Sequence, residues 1–248
     1  MDNYFLNRHT WRTFSDREVT DNLLQDMLEA ASHAPTTGNM QLYSVVITRD
    51  VSQKKLLAPA HFSQPASLNA NVILTFCADL NRFVKWCENR EADPGFDNFQ
   101  SLMAAFLDTT ILAQQFVTIA EREGLGTCYL GTTTYNADKI SEVLHLPRRV
   151  IPVISVAVGY PSGQYEETDR LEPAAFIHKE KYNDYTSDDI NRIYKDKEQR
   201  QDSKRFVQEN NKQSLAQVFT DVRYPRKNNE YFSSVFINFL KSQGFMLD

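Results

Sequence analysis

The sequence is short of several things, and each shortage removes a class of function. Lys and Arg together number 27 against 32 Asp and Glu, a formal net charge of −5, so no basic excess is available to grip nucleic acid irrespective of its sequence. Only eight glycines occur in 248 residues. None is set in the G-x-G-x-x-G of a dinucleotide fold or the G-x-x-x-x-G-K-[ST] of a phosphate loop. The three cysteines, Cys77, Cys87 and Cys128, form no C-x-x-C pair and leave at least one thiol free in any pairing within the chain. A reduced, cytoplasmic compartment fits that count. His9, His33, His61, His145 and His178 are scattered without the i, i+4 spacing of a zinc helix, and no metal is expected. No G-x-S-x-G elbow occurs. There is no run of about 18 apolar residues, and the opening Met1-Asp2-Asn3-Tyr4-Phe5 lacks the charged-then-apolar order of a signal peptide, so no membrane role or export is expected. An enzyme with so few reactive side chains in recognisable settings takes its chemistry from a bound cofactor.

What is present is a globular composition, 42% hydrophobic and 24% charged, long enough for a substantial core. Thr20 reads as the N-cap of a helix in which Leu23, Leu24, Met27, Leu28 and Ala31 recur every three or four residues. Tyr43 to Thr48, Val72 to Ala78, Gly126 to Leu130 and Ile151 to Gly159 are short, nearly continuous apolar runs and read as buried strands. Shorter helices are expected over Ser52 to Leu57, over Asn81 to Glu91, and from an Asn136 cap to Leu144. The longest feature, Phe99 to Glu123, keeps helical spacing without Pro or Gly until Gly124, and is read as a central helix. Lys181 to Lys212 is rich in mixed charge and reads as a solvated helical excursion. Phe232, Val235, Phe236, Phe239 and Leu240 then mark a C-terminal amphipathic helix. The whole is read as one α+β domain, with residues 1–180 as its core and 181–248 as a helical arm.

Three patches carry donors suited to an anionic ring system. Arg8-His9-Thr10-Trp11-Arg12 packs two guanidinium groups, an imidazole and a hydroxyl into five residues. Ala34-Pro35-Thr36-Thr37-Gly38-Asn39-Met40-Gln41 offers hydroxyls and amides in a turn-rich link. Gly124-Leu125-Gly126-Thr127-Cys128-Tyr129-Leu130-Gly131 follows the long helix. Taken singly, each is ordinary: a solvated basic segment, a loop, a helix end with a tight turn.

In this order and at these distances the patches resemble the FMN-dependent nitroreductase family. Arg8 to Phe14 is similar to its Arg-[His/Arg]-Ser-x-[Arg/Lys]-x-Phe opening, and Ala34 to Gln41 to its Ala-Pro-Ser-Ser-x-Asn-x-Gln segment. Leu107-Asp108 through Gly131 resembles its central helix and following turn, and Val158-Gly159-Tyr160-Pro161 its closing strand. Phe76-Cys77-Ala78-Asp79-Leu80-Asn81-Arg82 and the C-terminal arm look most like the larger, NADPH-preferring nitroreductase and flavin reductase branch. The resemblance implies a central mixed β-sheet surrounded by helices in an intertwined homodimer. It implies that Arg8, Thr10 and Arg170 hold the FMN phosphate, that His9 lies along the ribityl chain or ring, and that Arg12 reaches the N1 and C2 carbonyl edge, where reduction deposits negative charge. Gln64 would bond the pyrimidine side, and Leu130, Gly131 and Thr132 would set backbone groups near N5. Thr36, Thr37 and Asn39 would reach the flavin of the partner subunit. Lys212, with Arg205 or Lys204 as substitutes, would contact the 2′-phosphate of NADPH. The chain departs from the family in carrying Thr168 where Lys is usual, Leu42-Tyr43 in place of Pro-Trp, and Thr132 where Gly is common.

The implied function is hydride transfer from NADPH or NADH through FMN to nitroaromatics, quinones or other electron-poor small molecules by a ping-pong mechanism. A flavin reductase supplying reduced FMN, or a non-catalytic FMN-binding protein, are the alternatives. No side chain needs to be a catalytic acid or base, because the flavin N5 carries the hydride.

Overall fold

In the computed structural model, which describes residues 3–247 and so leaves Met1, Asp2 and Asp248 aside, a short helix α1 (Asn3–Asn7) leads into an extended segment and then α2 (Asp21–Ser32). Thr20 caps α2 as expected, its hydroxyl accepting from Leu23 N at 3.3 Å. There follow β1 (Tyr43–Thr48), α3 (Val51–Leu57), α4 (Pro65–Asn69), β2 (Val72–Asp79) and α5 (Asn81–Glu88). The chain continues through α6 (Phe99–Arg122), β3 (Gly126–Leu130), α7 (Ala137–Val143) and β4 (Val150–Gly159). The last helices are α8 (Ser187–Gln199), α9 (Gln201–Glu209), the single turn α10 (Leu215–Gln217) and α11 (Arg226–Ser242).

The strands form one sheet in the order β1-β2-β4-β3, each neighbouring pair antiparallel. The α+β architecture is the expected one, but within the chain the sheet is antiparallel rather than mixed, because every pair of strands adjacent in the sheet runs in opposite directions. β2 is buried along its whole length. Its Val72, Leu74 and Phe76 pack against Leu112, Ala113, Phe116, Val117 and Ala120 of α6 and against Leu24, Met27 and Ala31 of α2. Ile73 faces the opposite way, towards Ala66, Ala70, Cys128 and Leu130. Burial on both faces is why β2 reads as a continuous apolar run instead of an alternating one.

The long helix starts at Asn98, whose side chain accepts from Ser101 N, and ends where Gly124 takes φ 81°. By length and hydropathy it would also pass for a membrane span, although polar residues interrupt its apolar run. Here its apolar face lies on the sheet. Two expected helix limits differ. α5 stops at Glu88, because Glu91 adopts φ 57° and turns the chain. Asn136 precedes α7, but its side chain caps nothing: it donates to Ala60 O at 2.8 Å and accepts from Lys139.

The chain divides into two compact units, one made of residues up to Glu166 together with those from Phe232 onward, the other of Glu167–Tyr231. In the first, Phe239, Leu240 and Phe245 join Leu42, Leu80, Leu102 and Ile151 in a second apolar cluster. In the second, Thr186 and Asp189 form a reciprocal capping box at the start of α8. A cavity of about 570 Å³ in that unit is lined by Arg170, Arg192, Lys195, Lys197 and Arg200, with Asp169, Glu172 and Asp196 among its other residues.

The N-terminal donor segment is laid along the sheet by backbone pairing. Trp11 N donates to Thr127 O at 3.0 Å, Ser15 N to Tyr160 O at 2.8 Å, and Ser162 N to Thr13 O at 3.1 Å. Gly126 allows this close approach, since a Cβ there would fall 2.7 Å from Trp11 Cβ. Gly126→Ala is therefore expected to cost on the order of 1–3 kcal/mol and to change Trp11 fluorescence. Denaturant unfolding followed by emission checks both, and an unchanged midpoint would remove this constraint.

Candidate functional site

Two carboxylates on α6 organise the surrounding loops. Glu121, with a side chain only 6% exposed, receives Arg8 Nε at 3.1 Å and Nη2 at 3.0 Å, Tyr4 Oη at 2.6 Å and the Thr127 hydroxyl. The Arg8 guanidinium is thus gripped in the bidentate manner that suits its fork. Burial and the neighbouring carboxylate hold the Tyr4 phenol protonated, well above the usual tyrosine range. A cavity of about 230 Å³ opens beside the pair, with Arg8, His9, Trp11 and Pro161 in its wall.

Asp108, almost fully buried, does the same for the second patch. Its Oδ1 accepts from Thr37 N at 2.8 Å and from the Thr37 hydroxyl at 2.9 Å, and its Oδ2 from Leu42 N at 3.4 Å. This fixes a tight loop in which Gly38, Asn39 and Gln41 take positive φ of 57°, 55° and 54°. Thr36 enters it extended. Gln41 donates to the Asn39 side chain at 3.3 Å, and Arg82 clamps the carbonyls of Gln41 and Tyr43.

The other residues of the first patch are more open. His9 stacks on Tyr165 with ring centroids 3.5 Å apart, and its Nδ1 lies 2.7 Å from Asn7 O. Thr10 is half-buried. Arg12 is exposed and, among the described residues, reaches only Glu166, at 3.5 Å. Both arginines act on Cys128, pulling its thiol down against the larger upward effect of burial.

At the end of β3, Thr133 donates through both its N–H and its hydroxyl to Leu130 O. The N–H groups of Gly131 and Thr132 donate to no backbone carbonyl among the described residues. The Thr132 hydroxyl lies 3.1 Å from Nδ1 of His61, a fully buried imidazole at the end of the 3-10 turn Ala58–His61. Gln64 follows three residues later, half-buried, immediately before Pro65 opens α4.

The structure therefore links Arg8 and Arg12 through β3 to Leu130, Gly131 and Thr132, and these through His61 to the loop bearing Gln64. The loop of Thr36, Thr37 and Asn39 is instead tied to Asp108, thirteen residues before Glu121 on the same helix and so about 20 Å away along its axis. Arg170, Arg205 and Lys212 belong to the other unit. Arg170 is turned onto its own loop, donating to the Thr168 hydroxyl and Asp169 O at 2.8 Å. Lys212 is paired with Asp221 at 2.9 Å and Arg205 with Glu209 at 3.7 Å, while Lys204 is exposed. Sequence reasoning missed Asp108, Glu121 and His61 as organising residues. The one available signal was a lone carboxylate in the apolar stretch from Ala104 to Leu112.

Comparison with known proteins identifies the family and the fold of the chain. The profile described as the Nitroreductase family matches residues 6–160. The FMN reductase (NADPH) of Bacillus subtilis strain 168 is 31% identical over 185 residues, 74% of each chain. A crystal structure of a Bacteroides fragilis NCTC 9343 protein superposes with a TM-score of 0.97 at 50% identity, covering 99% of this chain and all of that one. The NfrA1 nitroreductase of B. subtilis superposes with a TM-score of 0.85 at 25% identity over 98% of each chain. The chain belongs to the nitroreductase family.

Burial lowers the His61 pKa from 6.5 to about 4. Between those values the unfolded chain takes up a proton that the native state refuses, so this contribution to stability is complete above pH 6.5 and declines as the pH falls towards 4. His61→Asn is expected to be less sensitive than the wild type to acidification from pH 7.5 to 5, by about 2 kcal/mol. Parallel unfolding slopes for the two proteins would contradict a buried neutral imidazole.

Proposed function

We propose that this protein is an FMN-dependent oxidoreductase that passes hydride from NADPH or NADH to small electron-poor acceptors such as nitroaromatics and quinones. The observation that carries the reading is the linked set of Arg12, Gly131, Thr132 and Gln64: an exposed cation with one distant partner, two uncommitted peptide N–H groups and a half-buried amide on adjoining loops. That donor set suits the oxygens and nitrogens of a flavin edge, and family membership supports the same assignment. Bound FMN would supply the two-electron chemistry, taking hydride from the nicotinamide and returning it to the second substrate after the first has left.

The chain's own groups bind and orient. Arg12 would balance negative charge on the pyrimidine edge of the ring. Gln64 would bond the same side, and Leu130, Gly131 and Thr132 would set backbone groups near N5. Thr10 would help to hold the phosphate, and His9 would lie along the ribityl chain or ring. Arg8 has its fork occupied by Glu121, so its remaining Nη1 would be the one turned to phosphate. Arg170 would reach that phosphate on leaving its own loop, and Lys212 or Arg205 would meet the 2′-phosphate of NADPH only by giving up its present carboxylate partner.

The separation of about 20 Å between the Asp108 and Glu121 anchors favours a site shared between two chains, with Thr36, Thr37 and Asn39 serving the flavin of the partner subunit. An apolar stripe supports the homodimer. Phe99, Met103, Leu107 and Ile111, each four residues after the last, are exposed along one face of α6.

The first test is the visible spectrum of the purified, desalted protein before and after anaerobic NADPH and then NADH. A yellow protein that bleaches is expected, with Arg12→Ala binding FMN about tenfold more weakly; a protein that neither takes up FMN nor oxidises either nucleotide defeats the reading. The relative named as an FMN reductase favours a second reading, delivery of reduced flavin to another protein. Turnover on free FMN well above that on nitroaromatics would select it. Leu107→Asp is expected to yield monomers without FMN in analytical ultracentrifugation with absorbance detection, and a flavin-loaded monomer would rule out a shared site.

A further inference from the structure

His61 is fully buried, and its Nε2 has no partner among the described residues. A leucine would fill a similar volume without burying an unpaired nitrogen, so packing alone gives no reason for an imidazole here. Among the described residues the ring's one polar contact is Nδ1 to the Thr132 hydroxyl at 3.1 Å. A second link joins the same two loops, Asn136 Nδ2 donating to Ala60 O at 2.8 Å. Outside these links Phe232 stacks on Tyr135 at 4.5 Å and meets Phe62 edge-on at 6.1 Å. After His61 the backbone of Phe62 and Ser63 takes φ of 52° and 51°, a reversal that brings the chain to Gln64.

With the imidazole neutral, one ring nitrogen carries hydrogen. A buried N–H without an acceptor is the rarer kind of orphan, which favours the tautomer in which Nδ1–H donates to Thr132 Oγ1 and Nε2 stays bare. The hydroxyl is then fixed from behind, and with it the Gly131–Thr132 peptide. We propose that His61 is a positioning residue that acts through the Thr132 hydroxyl to hold the Gly131 and Thr132 N–H groups against the reacting edge of the flavin. This rests on the FMN reading above.

The test compares His61→Leu, His61→Asn, Thr132→Val and the double variant His61→Leu/Thr132→Val. Readouts are FMN affinity of the apoprotein by fluorescence titration, the flavin absorption maximum, its midpoint potential, and the single-turnover rate of bleaching by NADPH. Thr132→Val and His61→Leu are each expected to slow bleaching about tenfold and to shift the potential and absorption maximum in the same direction. The double variant should be no worse than Thr132→Val alone, because the two residues act as one unit. His61→Asn, whose amide can donate in place of Nδ1, should recover most of the rate. Wild-type rate and potential in Thr132→Val, or losses that multiply in the double variant, would overturn the proposal. If His61→Leu fails to fold, Thr132→Val and His61→Asn still decide it: the first must change the flavin readouts and the second must preserve them. A wild-type protein that takes up no FMN defeats the function and this inference together, whereas variants that match a bleaching wild type defeat only the inference.

Discussion

The rest of the molecule depends on one helix that is apolar enough to be buried and yet carries two carboxylates. Phe116, Leu112, Val117 and Ala120 bind α6 to the sheet, and burial then obliges Asp108 and Glu121 to find donors, since an unpaired charge in such surroundings is expensive. Apart from Thr127, six residues on in β3, the donors come from segments far away in sequence. Thr37 and Leu42 satisfy Asp108, while Arg8, Tyr4 and Thr127 satisfy Glu121. The positions of the first two donor patches therefore follow from the electrostatics of the core, and Thr127 ties the third to the same Glu121.

The same logic continues at the end of β3. The sheet stops at Leu130, the chain turns, and the turn is held by polar contacts rather than by apolar ones: Thr133 to Leu130, Thr132 to His61, Asn136 to Ala60. Such contacts fix orientation as well as distance, which is what peptide N–H groups need if they are to meet a flavin edge. In the unit of Glu167–Tyr231, by contrast, several cations are engaged with carboxylates, Lys197 with Asp169, Arg200 with Asp202 and Lys212 with Asp221. The part proposed for it in nucleotide binding would require exchanging those partners.

Much of the fold was legible in order of chain. Strand β1 over Tyr43–Thr48 and strand β3 over Gly126–Leu130 coincide with their apolar runs, and Thr20 and Gly124 bound their helices where cap chemistry places them. The three donor patches were legible as well, and family membership bears out the resemblance they carried. Less visible were the end of α5, decided by a left-handed Glu91, and the side chain of Asn136, which goes to a loop instead of to its own helix.

By itself the sequence determined the elements, the family and the chemistry of the donor segments, because helix periodicity, apolar runs and caps are properties of residues within a few positions of one another. Only the tertiary structure decided the antiparallel order β1-β2-β4-β3 and the partners of the buried polar groups. Arg8 meets Glu121 across 113 residues, and His61 meets Thr132 across 71. No local pattern encodes such pairs: which donor answers a buried carboxylate, or which hydroxyl an imidazole, is settled only when packing has brought distant segments together and excluded water from between them.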